Sequence, residues 1–231
     1  MKRAIRIGVL VLVFGLLFGL VIRNITYRAP ISEEVWDEGT TIGDAATATR
    51  HYVQYSDFMC PYCDTFSREI IFHKEEFEDF LEQHHILYEI RLTEMIHDTT
   101  GSEMSEKSAI AAYCALEEGK FVEYYDAGVM ALWEDYHSKG IGNTKYATPI
   151  EDMKDDYWTK IGKSIGLGES FEDCVENQKT LERVKNNTAR AEKELRGGGL
   201  PFFAFEKFQT AEIANEWSWE QTLKYLENGL R

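Results

Sequence analysis

Phe58-Met59-Cys60-Pro61-Tyr62-Cys63-Asp64-Thr65-Phe66 holds two of the chain's four cysteines in a C-x-x-C spacing. Its flanks decide what that spacing means. Upstream, His51-Tyr52-Val53-Gln54-Tyr55 reads as a strand that stops at Ser56-Asp57. Downstream, Phe66, Ile70, Phe77 and Leu81 fall on one stripe of a helix, and residues 85–92 read as a second strand. The cysteine pair therefore stands where a strand hands over to a helix N-terminus.

Three chemistries use such a pair. A structural zinc site needs four nitrogen or sulfur ligands, but Cys114 and Cys174 are isolated and the six histidines show no ligand spacing. No metal site is expected. A purely structural disulfide across C-x-x-C closes too small a loop to constrain the unfolded chain much. Redox exchange fits the position. At a helix start, the Cys60 sulfur lies near unpaired backbone N–H groups and the positive end of the helix dipole, both of which favour a thiolate. Cys63, one turn on, is expected to be the buried resolving thiol.

The amino end indicates the compartment. Lys2, Arg3 and Arg6 precede an uncharged run, Ile7 to Ile22. At about 1.5 Å per residue the run spans roughly 24 Å, and Arg6 and Arg23 can snorkel to cover the rest of a ~30 Å hydrocarbon core. A cleaved signal peptide needs small residues of A-x-A type after the run; Ala29 has Tyr27 two places before it. Residues 1–23 are therefore read as a single-pass anchor, basic end in the cytoplasm and the remainder outside. Outside the cytoplasm, disulfides persist. A net charge of −15 argues against a nucleic-acid partner. Residues 24–50 read as a linker, with a short strand near Val35-Trp36, and residues 51–231 as one domain.

Within that domain the middle is helical. Ala111, Cys114 and Ala115, then Phe121, Tyr125 and Leu132, mark apolar faces separated by Gly119. Thr148-Pro149-Ile150-Glu151 reads as a capping box that starts a helix. Ser170 is expected to cap another, with Cys174, Leu181, Val184, Thr188, Ala191 and Leu195 on one stripe, stopped by Gly197-Gly198-Gly199. Residues 200–206 and 210–217 read as two paired strands, and Ser218 as the cap of a last helix carrying Leu223, Leu226 and Leu230.

The stretches YSDFMCPYCDTF (55–66), AIAAYCALEEGKFVEYYDA (109–127) and LPFFAF (200–205) resemble the DsbA family of thioredoxin-fold thiol–disulfide oxidoreductases. The similarity covers about residues 50–230. It implies an α/β thioredoxin-like fold with a helical subdomain inserted at about residues 104–195. It also implies a cis-proline facing the dithiol, for which Pro201 is the candidate, and no bound cofactor. Pro61, Tyr62, Leu200 and Pro201 are then expected to support the catalytic Cys60 and Cys63, with Tyr62 as aromatic lining. The sequence departs from the family in two places. The strand position six residues before the first cysteine, where relatives carry a buried acid that relays a proton, holds Gln54. The residue before the cis-proline is Leu200, which should make the substrate groove more apolar. Asp57 is nearer to the cysteines than Gln54, but at a strand end it is a doubtful substitute.

Cys114 and Cys174 fit two buried inert thiols. In an oxidising compartment, two helical cysteines in one small subdomain are instead expected to pair, as in some members of that family. The expected activity is a membrane-anchored dithiol oxidase acting on unfolded exported proteins with free thiols. By resemblance, a quinone-coupled membrane partner of the DsbB or vitamin-K-epoxide-reductase type would reoxidise it. A reductase or isomerase with the same parts, or a non-catalytic binding module, are the competing readings.

Overall fold

The computed structural model describes residues 40–100, 102–143, 150–195, 199–204, 208–210 and 217–230. Five strands among them form one sheet: β1 Thr41–Ile42, β2 Arg50–Ser56, β3 Ile86–Leu92, β4 Phe202–Ala204 and β5 Phe208–Thr210, in the order β1-β3-β2-β4-β5. β2 is the centre. It runs parallel to β3, with Ser56 opposite Leu92, and antiparallel to β4, with Val53 opposite Ala204. β1 and β5 add antiparallel edges.

Because β2 and β3 are covered on both faces, almost all of their residues are buried. Tyr52, Tyr88, Ile90 and Phe203 face the main core, while Val53 and Tyr55 join Ala191 on the other side. Glu89 and Arg91, two polar residues in an otherwise apolar strand, share that second face and pair with each other. His51 Nε2 lies 2.6 Å from Glu89, and Arg91 donates to the Tyr55 hydroxyl at 3.3 Å. Burial alone would raise the Glu89 pKa, but the hydrogen bonds from His51 and Arg91 hold it below the ordinary carboxylate value.

Nine helices are described: α1 Pro61–Phe72, α2 Lys74–Gln83, α3 Met95–Thr100, α4 Glu103–Glu117, α5 Phe121–Asp135, α6 Tyr157–Ser164, α7 Glu169–Glu176, α8 Leu181–Leu195 and α9 Trp219–Asn228. A short 3-10 turn covers His137–Lys139. The helices α3 to α8 lie between β3 and β4 in the chain, the insertion that the sequence resemblance implied. Cys114 on α4 and Cys174 on α7 form a disulfide, with their Cα atoms 5.7 Å apart. It lies in the main core with Tyr124, Trp158 and Phe171, and the Tyr124 and Phe171 rings meet at 5.8 Å between centroids. Gly162 on α6 permits this: a Cβ there would lie 2.2 Å from the Phe171 ring.

Several local expectations shift. The stripe from Phe66 to Leu81 is broken at His73, whose backbone leaves helical geometry, so α1 and α2 replace one helix. All four stripe residues are still buried, since a break between Ile70 and Phe77 preserves the phase. The His73 ring stacks on Trp219 of α9, 5.0 Å between centroids. The helix expected to start at Pro149 is not present over 150–156, and a helix begins only at Tyr157, with Asp156 as its N-cap; Ile150 and Met153 pack on the core from non-helical backbone. Thr148 and Pro149 lie outside the described residues.

Further on, the cap of α7 is Gly168 rather than Ser170, which sits inside the helix. The single stripe from Cys174 to Leu195 is two helices, parted where Gln178 takes a φ of 49°. The second hairpin strand is Phe208–Thr210, earlier than expected. Residues 40–50, read as linker, hold β1, which pairs Thr41 with Glu89 along the free edge of β3. The expected strand near Val35-Trp36, the glycines 197 and 198 and the Ile7–Ile22 anchor lie outside the described residues. No described helix is long and apolar enough to cross a membrane. Gly119, in a left-handed turn, parts α4 from α5 as expected, and Ser218 caps α9 in a full capping box with Gln221.

Candidate active site

The dithiol is placed by a short turn off the central strand. β2 ends at Ser56, and the Asp57 carbonyl accepts the Cys60 N–H at 3.0 Å. Phe58, inside that turn, plugs into the helical subdomain, with its ring 4.9 Å from Trp158 and 5.2 Å from Tyr125. Gly128 on α5 makes room for it: a Cβ there would lie 2.7 Å from the Phe58 ring. The turn is thus clamped by the insertion on one side and by the sheet on the other.

Cys60 is the N-cap of α1, in extended backbone, and Pro61 opens the helix where no N–H is required. The Cys60 sulfur itself accepts the Cys63 N–H at 3.4 Å, so the cysteine does the work usually given to Ser or Asp. That donor, with the helix dipole behind it, stabilises negative charge on Cys60. The Leu200–Pro201 bond is cis, and the Leu200 carbonyl lies 3.8 Å from the Cys60 sulfur. Cys60, Cys63, Pro61, Leu200 and Pro201 therefore meet at one place, with Tyr62 exposed beside them.

Exposure does not separate the two thiols, since Cys60 is 3 % and Cys63 1 % accessible. Their surroundings do. Burial, followed by the neighbouring Cys60, pushes the Cys63 thiol well above its ordinary value. Leu200 differs from expectation: it is half-buried against the Val53, Tyr55 and Ala191 cluster alongside Met95, so only part of it can line a groove.

Behind Cys63 lies a chain of neutral groups. Tyr88 donates to Gln54 Oε1 at 2.7 Å, Gln54 Nε2 donates to Ser67 Oγ at 3.2 Å, and Ser67 shares a 2.6 Å bond with the Tyr125 hydroxyl. Gln54 is thus fixed by hydrogen bonds, and it cannot take up a proton. Next to Cys63 in the first turn of α1, Asp64 is buried against Arg68, 2.6 Å away, and His137 of the insertion, 3.0 Å away. Nothing in the sequence spacing joins Asp64 to His137, because the contact depends on how the insertion folds back. His73 is drawn away to Trp219, whereas His97 on α3 is half-buried near Asp57. Among the described residues, no three His, Cys, Asp or Glu side chains gather as metal ligands.

Asp57 is the feature that sequence reasoning undervalued. Although it follows the strand end, it is fully buried, because α3 and α4 of the insertion close over it. Its carboxylate accepts the Met59 and Ile96 N–H groups, at 2.9 and 3.0 Å, and the Ser105 hydroxyl at 2.5 Å. Burial outweighs these bonds and raises its pKa from 3.8 to about 6. A carboxyl group with a raised folded-state pKa costs no stability below 3.8, an increasing amount up to about 6, and a constant amount above. At about 1.4 kcal/mol per pH unit the full cost is on the order of 3 kcal/mol. Asp57→Asn removes the charge and one acceptor. Urea unfolding is expected to show the variant gaining on the natural protein by about that amount between pH 4 and pH 8, whatever the constant offset between them. A difference independent of pH would mean that Asp57 titrates at its ordinary value.

The thioredoxin family model matches residues 37–223, most of the chain. No curated protein sequence matches it. Among solved structures it is similar to the thiol–disulfide exchange protein alpha-DsbA2 of Wolbachia pipientis, at 18% identity and a TM-score of 0.54, over 83% of this chain and 86% of that one. The reduced disulfide bond oxidoreductase DsbG of Mycobacterium tuberculosis is 16% identical, with a TM-score of 0.55 over 87% and 85%. Chlamydia trachomatis DsbA is 13% identical, with a TM-score of 0.54 over 88% and 95%. With its dithiol at the start of α1 and its cis-proline opposite, the chain belongs to the thioredoxin family, as a thiol–disulfide oxidoreductase with the DsbA-type fold.

Proposed function

We propose that this protein is a dithiol oxidase that works outside the cytoplasm, held at the membrane by residues 7–22, and that it introduces disulfides into unfolded exported proteins. The observation that carries the reading is the asymmetry of the dithiol. The Cys63 N–H and the helix start favour charge on Cys60, while burial keeps Cys63 as a thiol. The reduced enzyme is thereby the well-accommodated form, and a couple whose reduced form is stabilised is an oxidant.

In the oxidising direction a substrate thiolate attacks Cys60 of the Cys60–Cys63 disulfide, and Cys63 leaves and takes a proton. The second substrate thiolate then attacks the substrate sulfur of the mixed disulfide, and Cys60 departs as the thiolate. The enzyme is left reduced. It requires a disulfide-bearing or quinone-coupled partner to take its electrons, and a membrane reoxidase of the DsbB or vitamin-K-epoxide-reductase type fits an anchored domain. Location outside the cytoplasm rests on Lys2, Arg3 and Arg6 before the apolar run and agrees with the Cys114–Cys174 disulfide.

Equilibration with glutathione is expected to give a potential well above the thioredoxin value of about −270 mV. In intact cells, a membrane-impermeant maleimide is expected to label reduced Cys60. A potential at or below thioredoxin's would make the protein a reductase, and thiols reached only after lysis would place the domain inside the cell.

A further inference from the structure

A buried resolving thiol has to lose its proton to attack and regain one when it leaves. The described groups around Cys63 narrow what can hold that proton. Gln54 has no proton to exchange at any ordinary pH. Tyr88 and Tyr125, which complete the hydrogen-bonded chain through Ser67, are pushed up by burial above the ordinary tyrosine value and stay protonated. Asp57 differs on three counts. Its backbone amide faces the Cys63 sulfur, and its charge acts on that thiol. It lines the same small void as Cys63, between Phe58 and Tyr125. Three donors from three segments hold its carboxylate in place.

We propose that Asp57 is the group that exchanges a proton with Cys63, taking over from a different backbone position the role for which Gln54 is unsuited. The step balances as follows. When Cys60 carries a mixed disulfide with a partner, the Cys63 thiol gives its proton to the Asp57 carboxylate. The sulfur lone pair of Cys63 forms the bond to Cys60, and the partner sulfur leaves with the electron pair of the broken bond. The neutral Asp57 then releases the proton towards solvent past half-buried His97. In the reverse direction Asp57 returns a proton to departing Cys63.

The titratable groups facing Asp57 are Cys63 and Asp64 from α1, Tyr125 from α5 and His97 from α3. Asp64 Oδ2 is engaged by Arg68 and His137, whereas its buried Oδ1 accepts no hydrogen bond among the described residues. With its pKa raised to about 6, Asp57 is mostly ionised at pH 7, yet basic enough to take a proton.

The test separates the two halves of the reaction. Reduced full-length protein mixed with 5,5′-dithiobis(2-nitrobenzoate) releases one thionitrobenzoate as Cys60 reacts and a second as Cys63 resolves. In Asp57→Asn the rate of the second phase relative to the first is expected to fall about 100-fold at neutral pH. The natural protein's second phase should rise with pH through about 6 and level off. That of the variant should keep rising into the alkaline range, where Cys63 ionises unaided. Ser105→Ala removes a donor that favours the carboxylate, so it should move the inflection to higher pH. A slower Asp57→Asn enzyme that keeps the natural pH profile would reduce Asp57 to a structural role and overturn the proposal. Loss of the inflection in Gln54→Leu instead would assign the proton to the neutral chain, and equally overturn it. Asp64→Asn in the same assay should leave the inflection in place, and its loss there would overturn the proposal.

Discussion

Cys60→Ser is expected to abolish disulfide exchange, and Cys63→Ser to accumulate mixed disulfides with client proteins, visible as bands that DTT removes. The assignment does not rest on accessibility, because both sulfurs are nearly buried. It rests on charge. Cys60 caps α1 and accepts the Cys63 N–H, so it can carry a negative charge as attacking or leaving group. Cys63 has its thiol pushed up by burial, so it reacts only within the molecule and with help. Removing Cys63 leaves an adduct on Cys60 with no internal nucleophile to release it. The measurement is non-reducing electrophoresis of each variant expressed in its own cell, with insulin reduction and dithiol oxidation assayed on the purified proteins. If Cys60→Ser traps clients and Cys63→Ser does not, the roles are reversed. If neither variant loses activity in either assay, exchange does not run through this pair.

The second large effect concerns the other cysteines. Cys114 and Cys174 are separated by 60 positions, and the disulfide joins α4 to α7. In the chain-entropy account, closing a loop of that length stabilises the fold by about 4 kcal/mol. Replacing both by alanine is expected to cost that much in urea unfolding, a large part of the 5–15 kcal/mol that holds a typical domain together. The pair must be replaced together, because a single remaining thiol could attack Cys60. The loss should be greatest in the helical subdomain, and hydrogen exchange should show α4 and α7 opening before the sheet. A cost below about 1 kcal/mol would mean that apolar packing in the core, without the crosslink, holds these helices. Peptide mapping under non-reducing conditions should recover the crosslink after mild DTT has reduced Cys60–Cys63.

What could be read from sequence was whatever is local or set by a motif. The strand, turn and helix around Cys60 follow from period and caps, and Ser218 with Gln221 forms the capping box that its spacing announces. Pro201 was identified by its place in a motif. What could not be read depends on contacts between distant segments. Asp57 looks like a strand-end residue until Ser105 and Ile96 of the insertion close over it. The pairing of Asp64 with His137 has the same origin. Helix breaks at His73 and Gln178 leave the apolar stripe in phase, so periodicity is blind to them. The capping box at Thr148 misled in another way: Ile150 and Met153 can reach the core without a helix. β1 is too short for its pattern to show, and it exists because β3 offers a free edge.

The Leu200 carbonyl reaches Cys60 across 140 positions of chain. A chain is made from its amino end, and domains fold as their residues become available. The thiols of the dithiol are therefore synthesised long before the wall that stands opposite them. During that interval Cys60, Cys63 and Cys114 are all present while Cys174 is not, and any two of the three can be oxidised together. Four cysteines allow three complete pairings, of which only one leaves the exchange site free to work. If it matures outside the cytoplasm, as proposed, the newly made protein would itself need disulfide sorting. The correct pairing would then depend on α4 and α7 coming together, which sets Cys114 against Cys174, before a stray oxidant fixes another pair.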